Sequence, residues 1–166
     1  SKLVVEGAGF LLNNEMDDFS AKPGVPNQFG LIGNEANSIQ PFKRMLSSMT
    51  PTIVLKSGNP WLIIGTPGGS TIITGVAQVI LNAILFDMDL REAIDAPRIH
   101  HQWLPDEIFY EKNAIVSDVR ENLIKRGHVL GRERALNLME GIMIDRYKNK
   151  IYGYSDSRGH GSAEGY

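Results

Sequence analysis

The heptapeptide "GTPGGST", Gly65 to Thr71, joins an apolar run to a long apolar stretch that reads as a helix. A glycine-rich turn between strand and helix leaves three chemistries open. Phosphate binding at a helix start is one. It lacks the lysine of the phosphate-loop motif, since Ser70 and Thr71 follow the last glycine, and no G-x-G-x-x-G is present. A tight turn that lets helix and strand pack closely is the second. The third is an oxyanion hole. Gly68 and Gly69 carry no Cβ, so their backbone N–H groups can converge on the charge that develops on a carbonyl oxygen during acyl transfer.

"NNEMDDFS", Asn13 to Ser20, places three carboxylates within four positions. In one helical turn Glu15 and Asp18, three apart, face the same way. Carboxylates so close together repel and favour a cation. The readings are a solvated acidic turn, a calcium loop, for which the EF-hand spacing is missing, and a receptor for a substrate ammonium group. "KRMLSSMTP", Lys43 to Pro51, sets Ser47 and Ser48 beside two cations. Turn capping is one role for such serines. A hydroxyl pair that hydrogen-bonds a carboxylate is the other. Neither serine sits in a Ser-x-x-Lys or G-x-S-x-G nucleophile context.

"PRIHHQWLPDE", Pro97 to Glu107, holds two adjacent histidines. His100 and His101 would point apart in a strand, which suits one metal poorly, so structural histidines packed near Trp103 are expected. The chain has no cysteine, which removes disulfides, thiol nucleophiles and Cys-ligated metals. Its formal net charge of −2 offers no basic surface for nucleic acid. No metal, cofactor or nucleic acid is expected. The stretch from Ile72 to Phe86 is the most apolar, but Thr74, Gln78 and Asn82 interrupt it, and it reads as a core helix rather than a membrane span.

These residues need elements to position them. With 166 residues, 42% hydrophobic and 22% charged, the chain reads as one domain over 1–166. "SKLVVEGAGFLLNN" reads as strand, turn, strand. Asp17 to Gln40 is a long irregular stretch. "TPTIVLKSGNPWLIIG" is a hairpin around Ser57-Gly58-Asn59. A helix over 71–86 packs on that sheet, and a second, about 90–96, is stopped by Pro97. "EIFYEK" alternates as a strand. "SDVRENLIKRG" is a helix with Ser117 or Asp118 as N-cap and Gly127 just beyond its end. "GIMIDRY" and "KIYGYSD" form a second hairpin around Lys148-Asn149-Lys150. The closing "SDSRGHGSAEGY" reads as mobile or edge-lying. Strand pairs alternating with helices predict a layered α+β fold.

Taken in order, "LLNNEMDDFS", "KPGVPNQFGL", "KRMLSSMTPTIV", "GTPGGSTIITGV", "APRIHHQWLPDE" and "YGYSDSR" resemble the small subunit of γ-glutamyltranspeptidases. The resemblance spans nearly the whole chain. It implies an N-terminal-nucleophile hydrolase, with an αββα sandwich of which this chain is a part. It also implies a precursor that cleaves itself into a large and a small subunit, freeing a threonine nucleophile. That threonine takes the γ-glutamyl group of glutathione or a related amide, and passes it to water or an amino acceptor. By this resemblance Glu15 and Asp18 bind the α-amino group of the γ-glutamyl moiety, Ser47 and Ser48 its α-carboxylate, and Gly68 and Gly69 the oxyanion. The chain departs from the family pattern at Met45 and Ser157, where proline is common. The nucleophile segment and the large subunit with its substrate-binding arginine are not in this sequence.

The expectation is therefore a truncated small subunit, inactive alone, whose partners are a γ-glutamyl substrate, the large subunit of the same precursor and, for the fragment, a second copy. A periplasmic or secreted location follows from the family, or a cell-surface one in animals. The alternatives are a related acylase, of cephalosporin or poly-γ-glutamate type, and a non-catalytic binding module.

Overall fold

A computed structural model describes residues 3–165, and by compactness the chain divides between Ser47 and Ser48. The unit that ends at Ser47 has little regular structure. Its first stretch is not the strand pair the sequence suggests. A single antiparallel bridge joins Val4 to Leu11, and Gly7 and Gly9 both take positive φ in the connecting turn. Two glycines in the left-handed region leave too few residues in extended conformation for a ladder.

Asparagine amides do much of the cross-bracing in this unit. Asn27 donates to the Asp17 carbonyl at 3.0 Å and accepts from the N–H groups of Phe29 and Leu31. Asn37 donates to the Asp18 carbonyl at 2.7 Å and accepts from the Leu46 N–H. An amide that donates and accepts can satisfy backbone groups that no strand or helix pairs. These braces anchor two short 3₁₀ helices, Glu15–Asp18 and Glu35–Asn37.

The second unit carries a four-stranded antiparallel sheet, built from β1 (Thr52–Lys56), β2 (Asn59–Gly65), β6 (Glu140–Asp145) and β7 (Lys150–Ser155), in the order β1-β2-β6-β7. The β1–β2 hairpin turns through Ser57 and Gly58, both with positive φ, as the sequence suggests. A two-residue turn of that kind matches the twist of the flanking strands. Helix α1 (Thr71–Leu85) and helix α2 (Leu90–Asp95) cover one face. Leu62 and Ile64 of β2 meet Val76 and Val79 of α1 and Leu90 and Ile94 of α2 in the core, with Met139. Each such side chain contributes roughly 1.5–3 kcal/mol relative to exposure. Asp89 and Glu92 form a capping box that starts α2, and Pro97 follows its end.

Ile63 alternates with these residues and points to the other face, in register with Ile53 and Ile142. That face stays open: Ile53 is 62% exposed and Ile151, on β7, 73%.

A second sheet of three short strands was only partly legible. β4 (Ile108–Tyr110), the centre of "EIFYEK", pairs antiparallel with β3 (Ile99–His100) and parallel with β5 (Leu130–Glu133). Helix α3 (Ser117–Lys125) makes the crossover that a parallel pair needs. Its N-cap is Val116, not Ser117 or Asp118; Ser117 is already helical, and no side chain caps the first turn. Gly127 does lie just past the end, with φ +89°.

The C-terminal stretch is another correction. Asp156 and Arg158 are not part of a loose tail. Arg98, 1% exposed, ion-pairs with Asp156 at 2.7 Å and donates to the carbonyls of Leu136 and Ile94. Arg158 bridges Asp156 and Glu111, at 2.9 and 2.7 Å. Glu111 in turn accepts from the backbone N–H groups of Arg98 and Leu136. Burial pushes the Asp156 carboxyl up, but the Met139 N–H and both arginines outweigh it and hold it below its usual value.

Candidate functional site

The glycine turn follows β2 directly. Gly68 takes φ +145° and Gly69 φ +58°, backbone conformations that side chains rarely tolerate. The turn is tied to the helix behind it. The Thr71 hydroxyl donates to the Gly68 carbonyl at 2.8 Å, and the Thr71 and Ile72 N–H groups reach the carbonyls of Gly68 and Gly69. The Asn137 amide donates to the Thr71 hydroxyl at 2.8 Å. A Cβ on Gly68 would come within 2.5 Å of that amide nitrogen. The carbonyls of the turn are thus engaged inward. The N–H groups of Gly68 and Gly69 donate to no acceptor among the described residues. Two adjacent donors, held rigidly and left without an internal partner, are the arrangement an oxyanion requires. The phosphate reading still lacks the lysine that should follow the last glycine, where Ser70 and Thr71 stand.

Sequence reasoning missed what stands beside the turn. Ser70 opens α1 but does not cap it. Its hydroxyl donates to Gln102 Oε1 at 2.6 Å. His100 Nε2 lies 2.9 Å from the same oxygen, and His100 Nδ1 lies 2.7 Å from the Thr74 hydroxyl, one turn along α1. The Gln102 amide nitrogen donates to the Leu104 carbonyl, which fixes its oxygen toward Ser70 and His100. An oxygen that only accepts puts the ring proton on Nε2, so Nδ1 accepts from Thr74. His100 is 2% exposed and stacks on Phe109. Burial holds its pKa below the ordinary value; Gln102 raises it, while the nearby charges of Arg134 and His101 lower it further. No residue type in "IHHQW" signals this chain, because it is closed by a serine 32 positions from its glutamine. His101 is exposed and pairs with Asp106, and the Trp103 N–H donates to its ring. Among the described residues no three potential ligands gather around a metal-sized space.

Glu15 and Asp18 open and close the first 3₁₀ helix, where residues three apart eclipse each other. Asp17 between them is used internally, accepting from the Gln28 N–H. The carboxylates of Glu15 and Asp18 form no ion pair among the described residues. Asp18 has a raised pKa, first from partial burial and then from the charges of Glu15 and Asp17. The pair is therefore an unneutralised anionic turn, as an ammonium receptor would be. Ser47 and Ser48 lie in an irregular stretch, Ser47 exposed and Ser48 half-buried, and fall on either side of the division between the two units. The Ser48 carbonyl accepts from the Thr50 hydroxyl. A cavity of about 680 Å³ opens at the opposite end of the four-stranded sheet, among its hairpin turns, and none of the six candidate residues lines it.

The gamma-glutamyltranspeptidase family model matches residues 1–166. The glutathione hydrolase proenzyme of Escherichia coli is 49% identical over 156 residues, which cover 94% of this chain and 27% of the relative. The crystal structure of a mutant Helicobacter pylori gamma-glutamyltranspeptidase superposes with a TM-score of 0.88 at 50% identity, covering 96% of this chain and 87% of that one. The gamma-glutamyltranspeptidase of Pseudomonas nitroreducens, complexed with L-DON, gives 0.86 at 44% identity, covering 100% and 86%. The fold is α+β, that of the N-terminal-nucleophile hydrolases. The chain belongs to the gamma-glutamyltranspeptidase family. It spans little more than a quarter of the length of the curated relatives it matches.

Proposed function

We propose that this chain supplies the oxyanion hole and the γ-glutamyl pocket of an enzyme that transfers or hydrolyses γ-glutamyl groups, glutathione among its substrates. The observation that carries the reading is the pair of unengaged N–H groups on Gly68 and Gly69, at a turn where the carbonyls of these two glycines are tied inward. The chemistry is acyl transfer through a threonine elsewhere in the protein. Its hydroxyl oxygen adds to the γ-carbonyl, whose oxygen becomes an anion, while the hydroxyl proton passes to the threonine's own α-amine. Collapse expels the amine, which takes up that proton, and leaves an ester. Water or an amino group then adds to the same carbon and releases the threonine. The carbonyl oxygen carries negative charge in both steps, so one hole serves twice. Removing one such donor typically costs 10²–10³ in rate.

The γ-glutamyl group ends in a zwitterionic α-carbon. In this reading Glu15 and Asp18 take the ammonium, and the hydroxyls of Ser47 and Ser48 take the carboxylate. The unneutralised charge of the acidic turn supports the first assignment. The large subunit of a common precursor completes the enzyme; the E. coli relative is likewise a proenzyme. We place the enzyme in the periplasm or outside the cell, or at the cell surface if its source is an animal. Among the described residues no helix is long and apolar enough to cross a membrane.

The test is release of p-nitroaniline from γ-glutamyl-p-nitroanilide by the full-length, processed protein and by this chain alone. Turnover by the full-length protein only is the expected result. Absence of turnover in both would overturn the reading.

A further inference from the structure

The oxyanion turn is pinned from two sides, and only one of them is an ordinary helix start. On one side Asn137 and Thr71 hold the Gly68 carbonyl. On the other, the residue immediately after Gly69 reaches away from the helix. Ser70 forgoes the N-cap role that serine commonly takes. It spends its hydroxyl on Gln102, at 2.6 Å, the shortest link in a line that runs through His100 and returns to α1 at Thr74. The line closes on itself: Ser70 and Thr74 lie one turn apart on the same face of α1, and the Gln102–His100 pair clamps both. The clamp has its own support. Gln78, a further turn along, exchanges two hydrogen bonds with the backbone of Ile99, beside His100. His100 itself is buried against Phe109.

Resting on the acyl-transfer reading above, we propose that Ser70, Gln102 and His100 are positioning residues that set the direction of the Gly68 and Gly69 N–H groups. None of the three need touch substrate. A donor aimed at an oxyanion loses much of its effect when its angle drifts, since hydrogen bonds weaken steeply below about 120°. Freeing Ser70 would let the peptide planes of Gly68 and Gly69 rock, because neither residue has a Cβ to restrict them. The ground-state substrate is held by other groups, so the loss should fall on kcat and spare KM.

The experiment is steady-state kinetics of the full-length, processed protein on γ-glutamyl-p-nitroanilide, for wild type, Ser70→Ala, Ser70→Thr, Gln102→Met and the double variant Ser70→Ala/Gln102→Met. Ser70 is only half-buried, so its alanine variant should fold, and near-ultraviolet circular dichroism checks this. The expected result has three parts. Ser70→Ala loses kcat at least fivefold with KM within threefold. Ser70→Thr, which keeps the hydroxyl, stays within threefold of wild type. The double variant is no slower than the worse single variant by more than twofold, because both cut one line. A smaller loss in Ser70→Ala, a loss that falls on KM, a failure of Ser70→Thr to restore kcat, or multiplicative losses in the double variant would each overturn the inference. If wild type turns over and Ser70→Ala equals it, only this inference falls. If wild type does not turn over, the acyl-transfer reading falls and takes this one with it.

Discussion

If Asp18 takes the substrate ammonium as proposed, binding and stability pull against each other in a single side chain. Its folded pKa is raised, so the native protein holds the proton more tightly than the unfolded chain does. The sign follows from linkage. Below the ordinary value of 3.8 the group is neutral in both states and costs nothing. As pH rises through the raised folded value the native carboxylate ionises beside Glu15 and Asp17, and the penalty is complete at neutral pH. Replacing Asp18 by Asn removes that penalty. At pH 7 we expect Asp18→Asn to melt no lower than wild type, with any advantage shrinking toward pH 4. In the full-length protein the same variant should lose about 1.5–3 kcal/mol of transition-state binding, or roughly 10- to 150-fold in kcat/KM, through a missing charge-assisted contact. Calorimetry and kinetics read the two halves separately. A variant that is both less stable and fully active would remove Asp18 from the pocket.

At the scale of elements, the legible features were those fixed by local chemistry. The β1–β2 turn announces itself in Ser57-Gly58, and α1 in an apolar run bounded by a glycine turn. Gly127 marks the end of α3 because a left-handed residue is needed there. What the sequence hid depends on partners far along the chain. β3 has two residues and β5 four, and neither has a pattern apart from the central strand they flank. The serine–glutamine–histidine line and the buried ion pairs were invisible for the same reason: each joins residues from separate elements. "SDSRGHG" looks solvated, yet Asp156 is nearly inaccessible because Arg98, 58 positions earlier, waits for it.

That cluster is the element-level prediction. It ties the end of α2, the residue just before β3, the residue just after β4, the stretch before β6 and the residue just after β7. Arg98→Met would keep the bulk of the side chain and strip the charge from between two buried carboxylates. Removing one partner of a buried pair costs about 3–5 kcal/mol, more than a typical core truncation of one methylene. Urea unfolding should show a lower midpoint with an unchanged slope. A change below about 1 kcal/mol would mean that Arg158 alone satisfies both acids.

The whole molecule presents the open face of its four-stranded sheet. Ile53, Ile63 and Ile142 sit side by side across three strands, with Ile151 nearby on the fourth. A sheet covered by helices on one side and apolar on the other is half of the αββα arrangement that the sequence resemblance implies. Standing alone, such a surface and its unpaired edges favour association. We expect this chain to dimerise or form larger species at tens of micromolar, read by light scattering after size exclusion. The triple variant Ile53→Thr/Ile142→Thr/Ile151→Thr should return it to a monomer, since threonine keeps strand preference and removes the apolar surface. A wild-type chain that elutes as a monodisperse monomer would contradict this.

The strand order has a consequence during synthesis. β2 lies between β1, which precedes it by two turn residues, and β6, whose Glu140 pairs with Gly65 across roughly 75 residues of chain. At about 5–20 residues per second, β2 leaves the ribosome some 4–15 s before the strand that will lie against it. Through that interval the hairpin has an open edge, and the glycine turn and α1 wait beside it without Met139 or Asn137. The finished glycine turn is therefore a late event in the life of each chain, reached only after β6 has been translated and has paired along the free edge of β2.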